Sequence, residues 1–343
     1  MKLKKKIGIG VLLLLILAVS LYGSLILYGL RQGAGQFKVL WNAVPVEVLM
    51  ADPNTPDSLK SKLELIAEVR TFAVEELGMK DSENYTSLYD QKGKAILWNV
   101  SASEKFKLEA YEWKFPLLGK FSYKGYFNYE LALKEEERLK AKGLDTRVRT
   151  VGGWSTLGWF NDPILSNMLN RSEGQLAELI LHELVHGNIY VKDSVDFNEN
   201  LATFFGQKGA IQFMIRKFGE DSEELREYLD SEIDFEKYTR HMLRGSESLD
   251  SLYKGMESME DPQQKELLKE KQIQKIIESL DTLSFLNPEP YEGAFQELPN
   301  NAYFMALNRY RSKTDWFENE LEQTYQGDLK AFLQFLIQTH PSL

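Results

Sequence analysis

No cysteine occurs among the 343 residues. That absence excludes a disulfide framework, thiolate metal ligands, a cysteine nucleophile and a lipid-modified cysteine together. It leaves the compartment open, since exported proteins also do without disulfides. An excess of positive charge is missing too: the net charge is -10. Nucleic acid is therefore not expected as a partner, because phosphate binding needs a basic surface. Histidine is scarce, with four in the chain, so any imidazole site has few candidates. What is present, 43% hydrophobic and 27% charged residues, is the balance of a globular chain and not of a disordered one. The length suits one catalytic domain or two closely packed subdomains.

Apolar residues are concentrated at the start. In "MKLKKKIGIGVLLLLILAVSLYGSLILYGLRQ", Lys2, Lys4, Lys5 and Lys6 precede an uncharged stretch from Ile7 to Leu30. As a helix this stretch spans roughly 36 Å, enough to cross a hydrocarbon core. The expectation is a single-pass membrane anchor over residues 1–35, lysines cytoplasmic, with the catalytic domain on the far side, periplasmic or at the cell surface. A cleavable signal peptide with a small-residue site near Ser20–Ser24 is the competing reading.

Beyond the anchor, residues 36–343 read as an α+β domain, with a mixed sheet part over about 36–160 and a mainly helical part over about 161–343. "TPDSLKSKLELIAEVRTFAVEELG" predicts a helix with Thr55 as N-cap, Pro56 at the first position and Gly78 past its end. "KAILWNVSA" and "TRVRTVGGWSTLGWF" read as strands, and the aromatic run around Pro116 and Gly119 as a hairpin. Asn128 is placed to cap a helix over 129–142, closed by Gly143. Further helices are expected at about 172–189, 197–217, 222–242, 262–281, 301–311, 314–325 and 328–338. The charge-rich run 257–275 reads as a solvated helix face.

Two of the four histidines lie in "LAELILHELVHGNIY". In His182-Glu183-Leu184-Val185-His186 the imidazoles at i and i+4 share one helical face and can reach one zinc ion. The adjacent glutamate projects toward the open coordination position. A chain of this composition contains such a pattern by chance roughly once in two hundred. Ser172 and Gln175 form a capping box, and Leu176, Ile180, Leu184 and the Tyr190 ring supply a side that seats the helix. Glu178, one turn before His182, is either an orienter of that ring or a surface carboxylate.

A catalytic zinc needs a third protein ligand. The position of a third histidine in HExxHxxGxxH is Lys192, so that arrangement is excluded. In "VKDSVDFNENLATFFGQKG" the best-placed donor is Glu199, which would complete a His₂Glu set. Asp196 followed three residues later by Glu199 is also a capping box that needs no metal.

"ELILHELVHGNIYVKDSVDFNENLATFFGQKG", preceded by "WSTLGWFNDPILSNML", resembles the bacterial family of putative aminopeptidases, of the gluzincin type. So do "ADPNTPDSLKSKLELIAEVRTFAVEELG", "FSYKGYF" and "PNNAYFMALNRY", so that the likeness covers most of the chain from about residue 36. The resemblance implies a zinc metallopeptidase acting on peptides, with His182, His186 and Glu199 as ligands, since Asn198-Glu199-Asn200-Leu201-Ala202 matches the third-ligand motif. Many members carry cysteines, including a pair where this chain has Lys114 and Lys120.

On this reading Glu183 is the general base. Tyr310 is the first choice as donor to the developing oxyanion, followed by Tyr303 and His241. A carboxylate that receives the substrate's α-ammonium would be Asp162, Glu178 or Asp193, among which the sequence does not choose. Gly152-Gly153-Trp154-Ser155 is either an edge that pairs with an extended peptide or an ordinary strand. The alternatives to an aminopeptidase are an endopeptidase with the same chemistry and a catalytically silent envelope protein that uses the fold for binding. Oligomeric state is not legible.

Overall fold

Amphipathic runs dominate the chain, and the computed structural model folds most of them as helices. It describes residues 2–115, 119–153, 156, 160–311 and 313–340, with backbone alone for 2–21 and 309–311. There are two units, Met1–Ala43 and Val44–Leu343. The first is helix α1 (Lys2–Asn42). The second runs through β1 (Val44–Pro45), α2 (Val46–Ala51), α3 (Asp57–Glu75), β2 (Ser87–Tyr89), β3 (Trp98–Ser103), β4 (Trp113–Phe115), β5 (Gly119–Phe121) and β6 (Tyr123–Tyr126). It continues with α4 (Tyr129–Lys140), β7 (Asp145–Thr150), β8 (Ile164–Leu165), α5 (Glu173–Asn188), α6 (Val195–Phe218), α7 (Glu223–Gly255), α8 (Pro262–Glu278), α9 (Asn301–Arg311), α10 (Thr314–Tyr325) and α11 (Leu329–Thr339).

The expected membrane anchor is corrected. Among the described residues no helix is long and apolar enough to cross a membrane. Within α1 the described side chains begin at Tyr22, and only Tyr22–Leu30 precede the charge of Arg31, far short of the roughly 20 residues a crossing takes. The side chains of Ile7–Leu21 lie outside the described residues. The expected placement of the rest of the chain across a membrane loses its support on the same ground.

The α+β mixture is present, but its plan differs from a mixed sheet followed by a helical half. The strands form small separate sheets, ordered β1-β2-β8, β6-β3-β7 and β4-β5. Only the first is mixed: β2 runs antiparallel to β1 and parallel to β8, with Leu88 opposite Ile164. The two halves also share a core. Helix α3 buries Leu63, Ile66, Val69 and Phe72, and Phe72 meets Phe213 of α6 edge to face. At the α5 N-terminus, Lys62 of α3 pairs with Glu173 at 2.8 Å and donates to the Arg171 carbonyl at 2.9 Å. Apolar faces on early and late elements bury each other, which sequence order cannot display.

Local signals set several boundaries. Asn128 accepts the Leu131 amide at the start of α4, and Ser172 that of Gln175 at the start of α5. Helix α3 starts later than expected, with Pro56 as its cap. Helix α7 runs on well past 242, because Met242, Gly245, Ser246, Leu249 and Tyr253 continue its buried stripe. The charged run 257–275 is not wholly a solvated face: Lys269 is buried and pairs with Asp145 at 2.6 Å.

Helices α5 and α6 form the centre. A Cβ added at Gly206 of α6 would lie 2.9 Å from the Glu178 carbonyl oxygen and 3.2 Å from the His182 amide nitrogen. Both are backbone atoms of α5 that cannot swing aside. Gly206→Ala should therefore lower the unfolding free energy by about 1–3 kcal/mol. A denaturant titration that shows no loss would disprove this tight packing.

Candidate metal centre

Helix α5 buries Leu176, Ala177, Ile180, Leu181, Leu184 and Val185, so its remaining face, carrying His182 and His186, is fixed in rotation. The connection to α6 is fixed at one point. Asn198 receives the Val191 amide at 2.9 Å and donates to the Val191 carbonyl at 2.8 Å. Asn200 donates to the Asp196 carbonyl at 2.7 Å and accepts the Lys313 amide at 2.8 Å. Between these two asparagines stands Glu199, which is thereby turned toward α5. Because α6 starts at Val195, with Ser194 as its N-cap, Asp196 and Glu199 do not occupy capping-box positions.

The structure brings His182, His186 and Glu199 together, with one donor atom of each within 4.8 Å of the others. The two Nε2 atoms are 3.2 Å apart, and a Glu199 carboxylate oxygen lies 3.6 Å from each. A tetrahedral ion with bonds of about 2.0–2.1 Å spaces its ligands about 3.3 Å apart. The trio is already close to that spacing, and two imidazoles with one carboxylate are a donor set suited to zinc and related divalent ions. Thr203, one turn after Glu199, places its hydroxyl 3.5 Å from His182 Nδ1, the ring nitrogen that faces away from the other donors.

Burial shapes the charges. It would raise the Glu199 carboxyl, but the imidazoles of His186 and His182 outweigh it and hold that group well below the usual carboxylate range. Burial likewise works to lower His186, and Glu199 overcomes it, so the imidazole is raised. Glu183 is raised by burial, which suits a proton acceptor. Its carboxylate lies against Gly153, where an added Cβ would be 3.0 Å from Glu183 Oε1. Gly153 therefore leaves room for the Glu183 carboxylate.

The other expected residues fall in several places. The side chain of Tyr310 lies outside the described residues, as do Trp154 and Ser155. Tyr303 is bonded to the Tyr238 hydroxyl, and His241 Nε2 faces the Ile276 carbonyl at 2.8 Å; both hold the core around α7, α8 and α9 instead of the three donors. Glu178 accepts from the Tyr228 hydroxyl at 3.0 Å. Asp193 accepts the Lys120 amide at 2.8 Å and ties the β4-β5 hairpin to the α5–α6 connection. Lys114 and Lys120 face each other across that hairpin. Asp162 is buried, and burial pushes its carboxyl up to about 7 against hydrogen bonds from Thr156. Thr203 beside His182 is not among the expected residues, though its position at i+4 from Glu199 on one helical face carries a signal.

The fold and the site define an α+β protein with a two-histidine, one-glutamate centre built on adjacent helices, with a second buried glutamate beside it. The chain belongs to the family described as putative aminopeptidase, whose sequence profile matches residues 27–340. No curated protein and no solved structure matches it.

Asp162 generates a pH prediction. The folded protein keeps its proton up to about pH 7, whereas the unfolded chain releases it near pH 4. The folded state binds the proton more tightly, so its stability falls as pH rises through this window and then levels off. Between about pH 5 and about pH 8 wild type should lose about 3 kcal/mol that Asp162→Asn keeps. Parallel stability curves for the two proteins would disprove the assignment.

Proposed function

We propose that this chain is a zinc-dependent aminopeptidase that hydrolyses peptide bonds at a free N-terminus, with His182, His186 and Glu199 as metal ligands and Glu183 as general base. The observation that carries the reading is the 3.2–3.6 Å spacing of the three donors with buried Glu183 next to them. Membership of the aminopeptidase family supports the substrate class.

A divalent ion at this centre would supply Lewis acidity, polarising the scissile carbonyl and easing the deprotonation of water. The remaining steps belong to the chain. The three ligands orient the reacting groups. Thr203 keeps the His182 ring in position from its far nitrogen. Glu183, whose proton affinity is raised by burial, takes a proton from the attacking water and returns it to the departing amine. Gly153 lies against one side of the base.

Metal content and peptide turnover measured together test the reading. Wild type should hold near-stoichiometric zinc. Glu199→Ala should stay folded and lose most of the metal, because two imidazoles alone bind it weakly. Glu183→Gln should keep the metal and lose about 10²-fold or more in kcat. A folded wild type that takes up no zinc on reloading, or a Glu183→Gln variant with unchanged turnover, would refute it.

A further inference from the structure

Beside the proposed catalytic glutamate lies a pair of buried oxygens that nothing in the mechanism uses. Just ahead of β2 and β8, the Tyr85 amide donates to the Asp162 carbonyl at 2.7 Å and the Asp162 amide to Asn84 Oδ1 at 2.8 Å. Tyr85 and Asp162 are thus locked side by side, and they are 2% and 1% exposed. One oxygen of Asp162 accepts from the Thr156 amide and hydroxyl at 2.7 and 3.1 Å. Its other oxygen, Oδ1, and the Tyr85 hydroxyl are both buried without a hydrogen-bond partner. Buried polar atoms are rarely left unpaired, and one that is calls for an explanation such as a catalytic or binding role, an ordered water or an ion.

Tyr85 also has φ +61°. Left-handed backbone is unfavourable for a bulky aromatic side chain, and such strain concentrates where a side chain must be aimed.

The surroundings indicate what completes the pair. Among the described residues, the charged groups that act on Asp162 and Tyr85 are Glu183 and, for Tyr85, Asp162 itself, with no lysine or arginine among them. An unpaired carboxyl oxygen and an unpaired hydroxyl oxygen, both able to accept, in a negative environment suit a cationic donor. Position narrows the choice. Asn84, next to Tyr85, sits against Gly187, directly after His186, and Thr156, which holds Asp162, is three residues from Gly153 over Glu183. In a peptide with a free N-terminus, the amine and the scissile carbonyl carbon flank one Cα, about 2.5 Å apart. The group that receives the amine must therefore border the general base.

We infer that Asp162 Oδ1 and the Tyr85 hydroxyl bind the α-ammonium group of the substrate and so confine cleavage to the first peptide bond. This rests on the aminopeptidase reading above. The other carboxylates considered are occupied elsewhere, Glu178 with Tyr228 and Asp193 with the hairpin amide.

The test uses the full-length, zinc-loaded protein with one tripeptide and its N-acetyl form. Asp162→Asn preserves an acceptor for Thr156 and puts a donor where Oδ1 was; Tyr85→Phe removes only the hydroxyl. The free-to-acetylated ratio of kcat/KM should fall about 100-fold in Asp162→Asn and about 10-fold in Tyr85→Phe, with both variants folded and their zinc content tracking wild type. Calorimetric Kd values in the Glu183→Gln background should show the same loss of discrimination. Variants that keep the wild-type ratio, or that lose equally on both peptides, overturn the inference alone. A wild type that cleaves the acetylated peptide as well as the free one overturns the aminopeptidase reading and the inference with it. If wild type cleaves neither, the calorimetric ratios decide: discrimination lost with Asp162 supports the pair as an ammonium site, and its absence or persistence overturns it.

Discussion

Helix α6 approaches α5 so closely that a methyl group at Gly206 would press on the Glu178 carbonyl and the His182 amide. This approach makes a three-donor centre possible. A glutamate side chain has short reach, and Glu199 meets both imidazoles only because the two backbones pack with nothing between them at this level. The asparagine clamp on Val191 sets where α6 begins, and the apolar face of α5 sets how far it is rotated. Together these constraints fix the spacing of the three donors, which could hold a metal ion. Such preorganisation favours affinity, because little ordering remains for the binding event.

The same packing gathers charge where water is scarce. Glu183, His186, Glu199 and Asp162 are all buried, and an unpaired buried charge is costly. Each is relieved differently. Glu199 is held ionised by the imidazoles, Glu183 is pushed toward its neutral form, and Asp162 keeps its proton to about pH 7. Neighbouring carboxyl groups with divergent proton affinities are the usual arrangement for dividing acid, base and binding roles within one site. Stability spent at the site is recovered in the shared core of α3, α5 and α6 and in the separate cluster around α7, α8 and α9.

The expectations that did not survive share a cause: each extended a one-dimensional pattern beyond what it specifies. The uncharged N-terminal run suggested a membrane anchor, yet no described helix is long and apolar enough to be one. The run of strand-like segments suggested one mixed sheet, yet the strands form small separate sheets. The charged run before residue 275 suggested a wet surface, yet Lys269 turns inward to Asp145. A charge pattern does not reveal which member has a buried partner.

What the sequence determined by itself was the local chemistry: the HExxH register on a helix, the candidate third donor in the following helix, and caps such as Asn128 and Ser172. These depend on helical periodicity and on short-range hydrogen bonds, which lie within a few residues of one another. Only the tertiary structure decided that Glu199 faces the histidines and is not a capping residue, that Thr203 lies beside His182, and that Tyr85 and Asp162 are neighbours. Residues 85 and 162 meet through a backbone hydrogen bond just ahead of two very short parallel strands, and such long-range pairing depends on the whole core closing around it.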